Sequence, residues 1–378
     1  MWIIPGPGSL RFCRRPVVLQ GFVFRSYTTT KTSDPLRILF CGSDEFSIAH
    51  LKALHAYHLK QPERISSIDV VCRPGKRVGR GLKQIREVPL KAAASALSLP
   101  IHEIDTFTGW TPPSSPNGNI NLVIAVSFGL FVPPRILNGA KYGGINVHPS
   151  LLPNFRGPAP LHHALLAGET TTGVTVQTLH SKHFDHGVIL SQTPAPGFEI
   201  PNPESCTVPE LVDFVAPKGA EMLVESIEKR LFVPPIENAG AEQTGKLKHA
   251  PKITPQDRHI NWANWTLAEI NRHGPLSFQQ KRVILTDTEE VDPPEGCDSF
   301  SILPGLPFTN ASHPVEPKKS RQLYVFTADG KVLRINRMKV EGEQDAEGLR
   351  AAIKARMFGD RAFQYEGREL TPFRNPLV

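Results

Sequence analysis

With 378 residues, 40% of them hydrophobic and 21% charged, the chain has a globular composition and enough length for two domains. No stretch approaches the roughly 18 to 20 apolar residues of a membrane-spanning helix, so no membrane role is expected. The formal charge of +7 speaks for a nucleic-acid partner only if basic residues cluster outside any targeting segment.

Residues 1–33 carry Arg11, Arg14, Arg15, Arg25 and Lys31 with no acid, and they end in the hydroxyl-rich SYTTTKTS. Such termini mark organellar transit peptides, whereas a secretory signal needs a longer apolar run than VVLQGFVF, which Gln20 and Gly21 interrupt. A transit peptide over 1–33 and a mitochondrial matrix destination are therefore expected. Taking those five cations from +7 leaves +2, so partners must be argued from local clusters. The five cysteines, Cys13, Cys41, Cys72, Cys206 and Cys297, contain no CxxC, which argues for reduced thiols and against a disulfide framework or zinc ribbon.

Along the chain, LRILFCG reads as a strand, and EFSIAHLKALHAY places Phe46, Ala49, Leu51, Leu54 and Tyr57 near helical spacing. ISSIDVVC, VPLKAAASAL and NLVIAVSF continue the alternation, the pattern of a parallel sheet with crossover helices. An α/β, Rossmann-like domain over 34–206 is expected. Its first turn, CGSDEF, has one glycine where a pyrophosphate-binding turn has GxGxxG, which speaks against a nicotinamide or flavin enzyme. RPGKRVGRGLK, residues 73–83, sets Arg73, Lys76, Arg77, Arg80 and Lys83 among three glycines. It reads as a flexible basic loop, equally suited to a phosphate backbone and to plain solvation.

GGINVH ends a short strand with Asn146 and His148 two apart, so both side chains face one side. In an open parallel sheet that side opens on the crevice beyond the strands' carboxyl ends. The following PSLLPNFRGPAP carries four prolines, which leave the backbone little freedom to lose on binding. Downstream, GVTVQTL and VILSQTP are strands, and SKHFDHG between them presents Asp185 two residues before Gly187. Asp-x-Gly is also common in ordinary turns. His162, His163, His180, His183 and His186 lack an established ligand spacing, so no metal is expected.

Residues 207–245 begin with TVPELVDFVAPKGAEMLVESIEKRL, a helical linker with an expected kink at Pro217. Residues 246–378 form a second domain, in which RQLYVFTADGKVLRINRMKV reads as two strands joined at Ala-Asp-Gly. The Pro- and Ser-rich stretch 285–319 reads as an extended loop insertion.

LRILFCGSDEFSIAHLKAL, RPGKRVGRGLK, VSFGLFVP, INVHPSLLPNFRGPAP with HALLAGE, GVTV and FDHGVIL stand in the order found in folate-dependent formyltransferases. Over residues 36 to 231, and more weakly near LKHAPKITPQDRHINW and the terminal RNPLV, the chain resembles the members that act on methionyl-tRNA. The resemblance implies formyl transfer from 10-formyltetrahydrofolate to the α-amine of methionyl initiator tRNA, and a small OB-like β-barrel as the C-terminal, tRNA-binding domain. It makes Asn146 the donor to the carbonyl oxygen, His148 the proton acceptor and Asp185 its orienting partner. The chemistry is consistent: a fixed N–H lowers the barrier as negative charge develops, and an imidazole ordinarily titrates at about 6.5.

The same resemblance places Ser150, Leu151, Leu152 and Pro153 along the folate and Phe128 and Gly129 at its pterin wall. It sets Arg73, Lys76, Arg77, Arg80 and Lys83 against the acceptor stem. A monomer is expected. Two other functions compete. One is formyl transfer to a small amine or hydrolysis of the formylfolate, for which a basic loop and a C-terminal domain are unnecessary. The other is a non-catalytic RNA-binding module, which would not require the Asn146, His148, Asp185 set.

Overall fold

Strand β1 (Leu36–Gly42) leads into helix α1 (Glu45–Lys60), capped by Asp44, whose Oδ1 accepts from Ser47 N at 3.0 Å. The helix N-terminus that would cradle a pyrophosphate is thus taken by the chain's own carboxylate. Burial holds that carboxyl above its ordinary range. The computed structural model describes residues 31–115, 118–240, 247–254, 257, 260–261, 264–267, 269–270, 276–278, 281–294, 304–309, 322–355, 363–365 and 368–370. Nearly all of the expected transit peptide and the terminal RNPLV lie outside these residues.

The further elements of the first half are β2 (Ile65–Cys72), β3 (Lys76–Val78), β4 (Gln84–Arg86), α2 (Pro89–Ala96), β5 (Ile101–Glu103), β6 (Leu122–Val126) and α3 (Pro134–Gly139). They are followed by β7 (Gly144–His148), α4 (Pro160–Leu166), β8 (Thr175–Thr178), β9 (Ile189–Gln192) and α5 (Val208–Glu228). Seven strands pair in the order β9-β8-β7-β6-β1-β2-β5. The chain runs outward from β1 to β2 and β5, then returns to β6 on the other flank of β1. That reversal opens a crevice beyond the strands' carboxyl ends.

The sheet is mixed rather than wholly parallel: β8 is antiparallel to both β7 and β9. β8 and β9 are joined by residues 179–188, which hold no crossover helix of the kind that parallel neighbours need. Alternation along the central strands divides two cores. Ile38, Phe40, Ile124, Val126, Ile145 and Val147 face α1 and α5. Leu39, Cys41, Val123 and Ala125 face Phe107, Phe128 and α3. By the same period of two, Asn146 and His148 belong to the second face.

Helix α5 revises the linker reading of 207–245. It runs through Pro217 and buries Leu211, Val215, Leu223 and Ile227 in the first core, each contributing on the order of 2 kcal/mol. Between α1 and α5 lies His50, fully buried, its Nδ1 donating to Phe46 O at 2.7 Å and its Nε2 without a partner against Gly219. Burial pulls this ring down from 6.5 to about 4. The folded chain therefore resists a proton that the unfolded chain takes up below about 6.5, so stability is complete above that pH and is lost as pH falls toward 4, by roughly 3 kcal/mol. Urea titrations across that range are expected to show this slope, and His50→Leu to flatten it. An equal slope in both proteins would contradict the assignment.

The basic segment is a hairpin rather than an open loop: β3 pairs with β4 around a 3-10 turn at Arg80–Leu82. In the C-terminal half, β10 (Leu276–Phe278), β11 (Lys281–Val291), β12 (Pro307–Thr309), β13 (Leu323–Phe326) and β14 (Val332–Val340) form an antiparallel sheet. Its main path is β10-β11-β14-β13-β12, and α6 (Gly348–Lys354) packs on it through Ala351 and Ala352. Among the described residues this path is open and does not close into a barrel. Thr327 N donates to Lys331 O at 3.0 Å, closing the expected Ala-Asp-Gly turn. The supposed insertion 285–319 is partly sheet, since β11 runs to Val291 and β12 covers Pro307–Thr309. The exposed polar run Thr286, Asp287, Glu289 and Glu290 disguises the alternation along β11.

Candidate active site

Asn146 and His148 close β7, where a partner strand, a locked loop and a turn meet. Asn146 Nδ2 donates to Ala125 O at 2.9 Å, across to β6. His148 is buried, with Nε2 2.9 Å from Phe155 O and Nδ1 3.4 Å from Asp185 Oδ1. Asp185 Oδ2 accepts from Gly157 N at 2.9 Å, and its carbonyl accepts from Arg156 Nε at 2.8 Å. Amide, imidazole and carboxylate, some forty positions apart in the chain, therefore share one corner of the crevice.

Both ring nitrogens of His148 face acceptors. A neutral imidazole carries only one N–H, so a neutral ring can donate to one of these two oxygens and not to both.

The residue that completes this corner had no separate signal in the sequence reading. Gln177, on β8 directly opposite Asn146, is 1% exposed. Its Nε2 donates to Asn146 Oδ1 at 3.1 Å and to Asp185 Oδ1 at 3.3 Å, and its Oε1 accepts from Gly187 N at 3.0 Å. Its place directly opposite Asn146 in the β7–β8 register puts the two amides on the same face of the sheet. An amide in the middle of a β-branched strand was the available cue.

The Pro-rich loop after His148 is fixed by hydrogen bonds as well as by proline. Ser150 Oγ donates to Asn154 O, Thr175 Oγ1 to Ser150 O, Leu152 N to Thr175 Oγ1, and Gln192 Nε2 to Leu152 O, all between 2.7 and 3.2 Å. Ser150 and Leu152 are therefore turned inward, while Leu151 and Pro153 are half-buried. A strap from the second half closes the loop's far side: Phe155 N donates to Lys248 O at 2.6 Å and Ala250 N to Arg156 O at 2.8 Å. A Cβ on Gly157 would stand 2.3 Å from Ala250 O, so glycine is what lets the strap approach.

Phe128 is buried against Phe107, ring centroids 5.9 Å apart, and so cannot offer its side chain to an open wall. Gly129 is exposed, with φ +77 and open space where a Cβ would sit. Beyond it, Thr106, Phe107, Thr108, Leu130, Phe131, Pro133 and Arg135 line a cleft of about 220 Å³. Phe131 lies edge-on to Phe184, the neighbour of Asp185, at 5.2 Å, so the cleft borders the corner that holds His148 and Asp185.

On the hairpin, Lys76, Arg77 and Lys83 are exposed. Lys76 stands opposite Arg86, a cation absent from the sequence reading. Like charges across a hairpin oppose its pairing, and a polyanion would relieve them. Arg73 is different: its Nη2 is tied to Asp105 Oδ1 at 3.0 Å at the hairpin's root. In the 180–186 turn His180 stacks on His183 and His186 lies tilted against His183, and no group of three His, Cys, Asp or Glu among the described residues is arranged to hold a metal ion.

Comparison with known proteins agrees with this architecture. The Formyl transferase family model matches residues 36–204. The putative methionyl-tRNA formyltransferase of Schizosaccharomyces pombe is 32% identical over 299 residues, covering 72% of this chain and 83% of that protein. The chain belongs to the methionyl-tRNA formyltransferase family. The mitochondrial methionyl-tRNA formyltransferase of Saccharomyces cerevisiae is 34% identical over 269 residues, covering 62% of this chain, and the human mitochondrial enzyme is 35% identical over 239 residues, covering 63%. The matches span 66% and 56% of those two relatives. Among solved structures, an N-formyltransferase from Helicobacter canadensis, in complex with folinic acid and dTDP-3-aminofucose, superposes with a TM-score of 0.51 at 15% identity. That match covers 79% of this chain and 98% of the other, and it speaks for the fold.

Proposed function

We propose that this protein transfers the formyl group of 10-formyltetrahydrofolate to the α-amine of methionyl initiator tRNA in the mitochondrial matrix. The observation that carries the proposal is the convergence of Asn146, His148 and Asp185 on one corner of the crevice. Membership of the methionyl-tRNA formyltransferase family supports the choice of acceptor, and relatives named as mitochondrial support the destination. Residues 34–206 would form the catalytic domain and 246–378 the tRNA-facing domain, its antiparallel strands belonging to a small OB-like barrel.

The amine that attacks the formyl carbon loses a proton, and the folate nitrogen that leaves gains one. The His148–Asp185 pair need only carry that proton across. A free α-amine titrates at about 7.7 to 8.0, so no strong base is required. The N–H of Asn146 that Ala125 does not use is the donor for the developing oxyanion. Because Phe128 is buried, the pterin wall would be Gly129 and the cleft beyond it, with the Ser150–Pro153 backbone alongside. Lys76, Arg77, Arg80, Lys83 and Arg86 would meet the acceptor stem.

The chain without residues 1–33, given 10-formyltetrahydrofolate, methionyl initiator tRNA and free small amines, is expected to label the tRNA. Label confined to small amines overturns the tRNA reading, and tRNA binding without transfer to any acceptor leaves an RNA-binding module. Arg80→Ala is expected to weaken tRNA binding and reduce its salt slope by about one, with folate affinity unchanged. A loss of folate affinity instead would contradict the hairpin assignment.

A further inference from the structure

We infer that Gln177 is a positioning residue that fixes which way the Asn146 amide faces and holds the Asp185 carboxylate to His148. The Gly187 backbone N–H can only donate, so the Gln177 atom 3.0 Å from it is the oxygen. Nε2 must then face Asn146 and Asp185, as the distances of 3.1 and 3.3 Å show. A donor arriving at Asn146 requires its oxygen there. The Asn146 NH₂ is thereby turned to Ala125 O, a group that can only accept, at 2.9 Å.

Two backbone groups of fixed polarity, one on the Asp185 turn and one on β6, thus set a chain of side-chain amides with one consistent assignment. Asn146 carries two N–H bonds and Ala125 uses one, so the second is free for substrate. Without Gln177 the Asn146 amide has no partner that distinguishes its oxygen from its nitrogen on that side. A reversed amide would present a lone pair to the developing oxyanion and lose the stabilisation it should supply. The same Nε2 ties Asp185 Oδ1, the oxygen that faces His148 Nδ1, so one side chain sets both the oxyanion donor and the proton-carrying pair.

This inference rests on the proposed formyl transfer but not on the identity of the acceptor amine. The test compares wild type, Gln177→Met and Gln177→Glu on whichever amine the wild type formylates, so the acceptor reading and the role of Gln177 fail separately. Gln177→Met keeps the volume and removes the amide. It is expected to lower kcat about 10- to 100-fold, the range seen when an outer orienting partner is lost, with KM for both substrates within about twofold.

Gln177→Glu retains the acceptor for Gly187 N and therefore the turn, but it sets a second carboxylate beside Asp185, with the His148 ring and the Arg156 guanidinium the other ionisable groups facing that corner. Its kcat is expected to fall comparably, and the acid limb of its pH–rate profile to move to higher pH, since a neighbouring carboxylate favours retention of the proton. A role in folding alone would lower the unfolding midpoint and leave kcat and the pH profile of the folded fraction unchanged. That result, or a Gln177→Met enzyme within twofold of wild-type kcat, would overturn the inference.

Discussion

Replacing His148 by alanine is expected to lower formyl transfer about 10³-fold in single-turnover measurements, within the range that loss of a positioned proton carrier produces. The ring bridges Phe155 O and Asp185 Oδ1, at 2.9 and 3.4 Å, and among the described residues it is the imidazole at this corner. Its removal also leaves a nearly buried carboxylate held by Gln177 and Gly157 alone, a loss of about 1 to 3 kcal/mol in stability. Activity and unfolding must therefore be measured together. A folded His148→Ala protein with activity within twofold of wild type would remove the pair from the mechanism.

Gly187→Ala is expected to be nearly as damaging for a different reason. A Cβ at residue 187 would stand 1.7 Å from Thr178 O and 2.6 Å from Thr178 C. Those are backbone atoms of β8, held in the sheet, so the turn rather than the strand must move. Moving it breaks the Gly187 N bond to Gln177 Oε1 and displaces Asp185, two residues away. Overpacking against a fixed backbone costs about 3 kcal/mol, read as a shift in urea midpoint, and the displaced carboxylate should lower kcat about 100-fold or more. Wild-type unfolding and kcat in the alanine variant would show that the turn yields more easily than this packing implies. The Asp-x-Gly spacing common in ordinary turns thus has a specific cause here: glycine lets the turn that bears the carboxylate lie against the neighbouring strand.

Much of the architecture was legible because its signals are local. The apolar runs of β1, β6 and β7 reflect burial on both faces, the spacing of Phe46, Leu51 and Leu54 follows the buried side of α1, and Ala-Asp-Gly marks the β13–β14 turn. The two-residue interval between Asn146 and His148 likewise requires that they share a face, whatever the strand packs against. Prolines on both sides of Ser150 restrict the backbone without reference to any partner.

What depended on register and on distant segments was hidden. That Gln177 lies opposite Asn146, that Asp105 takes up Arg73, and that Lys248 and Ala250 brace the loop behind His148 are facts about which strand or strap arrives alongside. No periodicity within one segment encodes its neighbour. Helix α5 looked like a tether because its sequence shows an apolar stripe but not the surface that stripe covers. The amino-acid order determined which residues could do the chemistry and which backbone would be stiff. Only tertiary packing decided which amide faces which carboxylate, because hydrogen-bond polarity is settled between groups that meet in space and not along the chain.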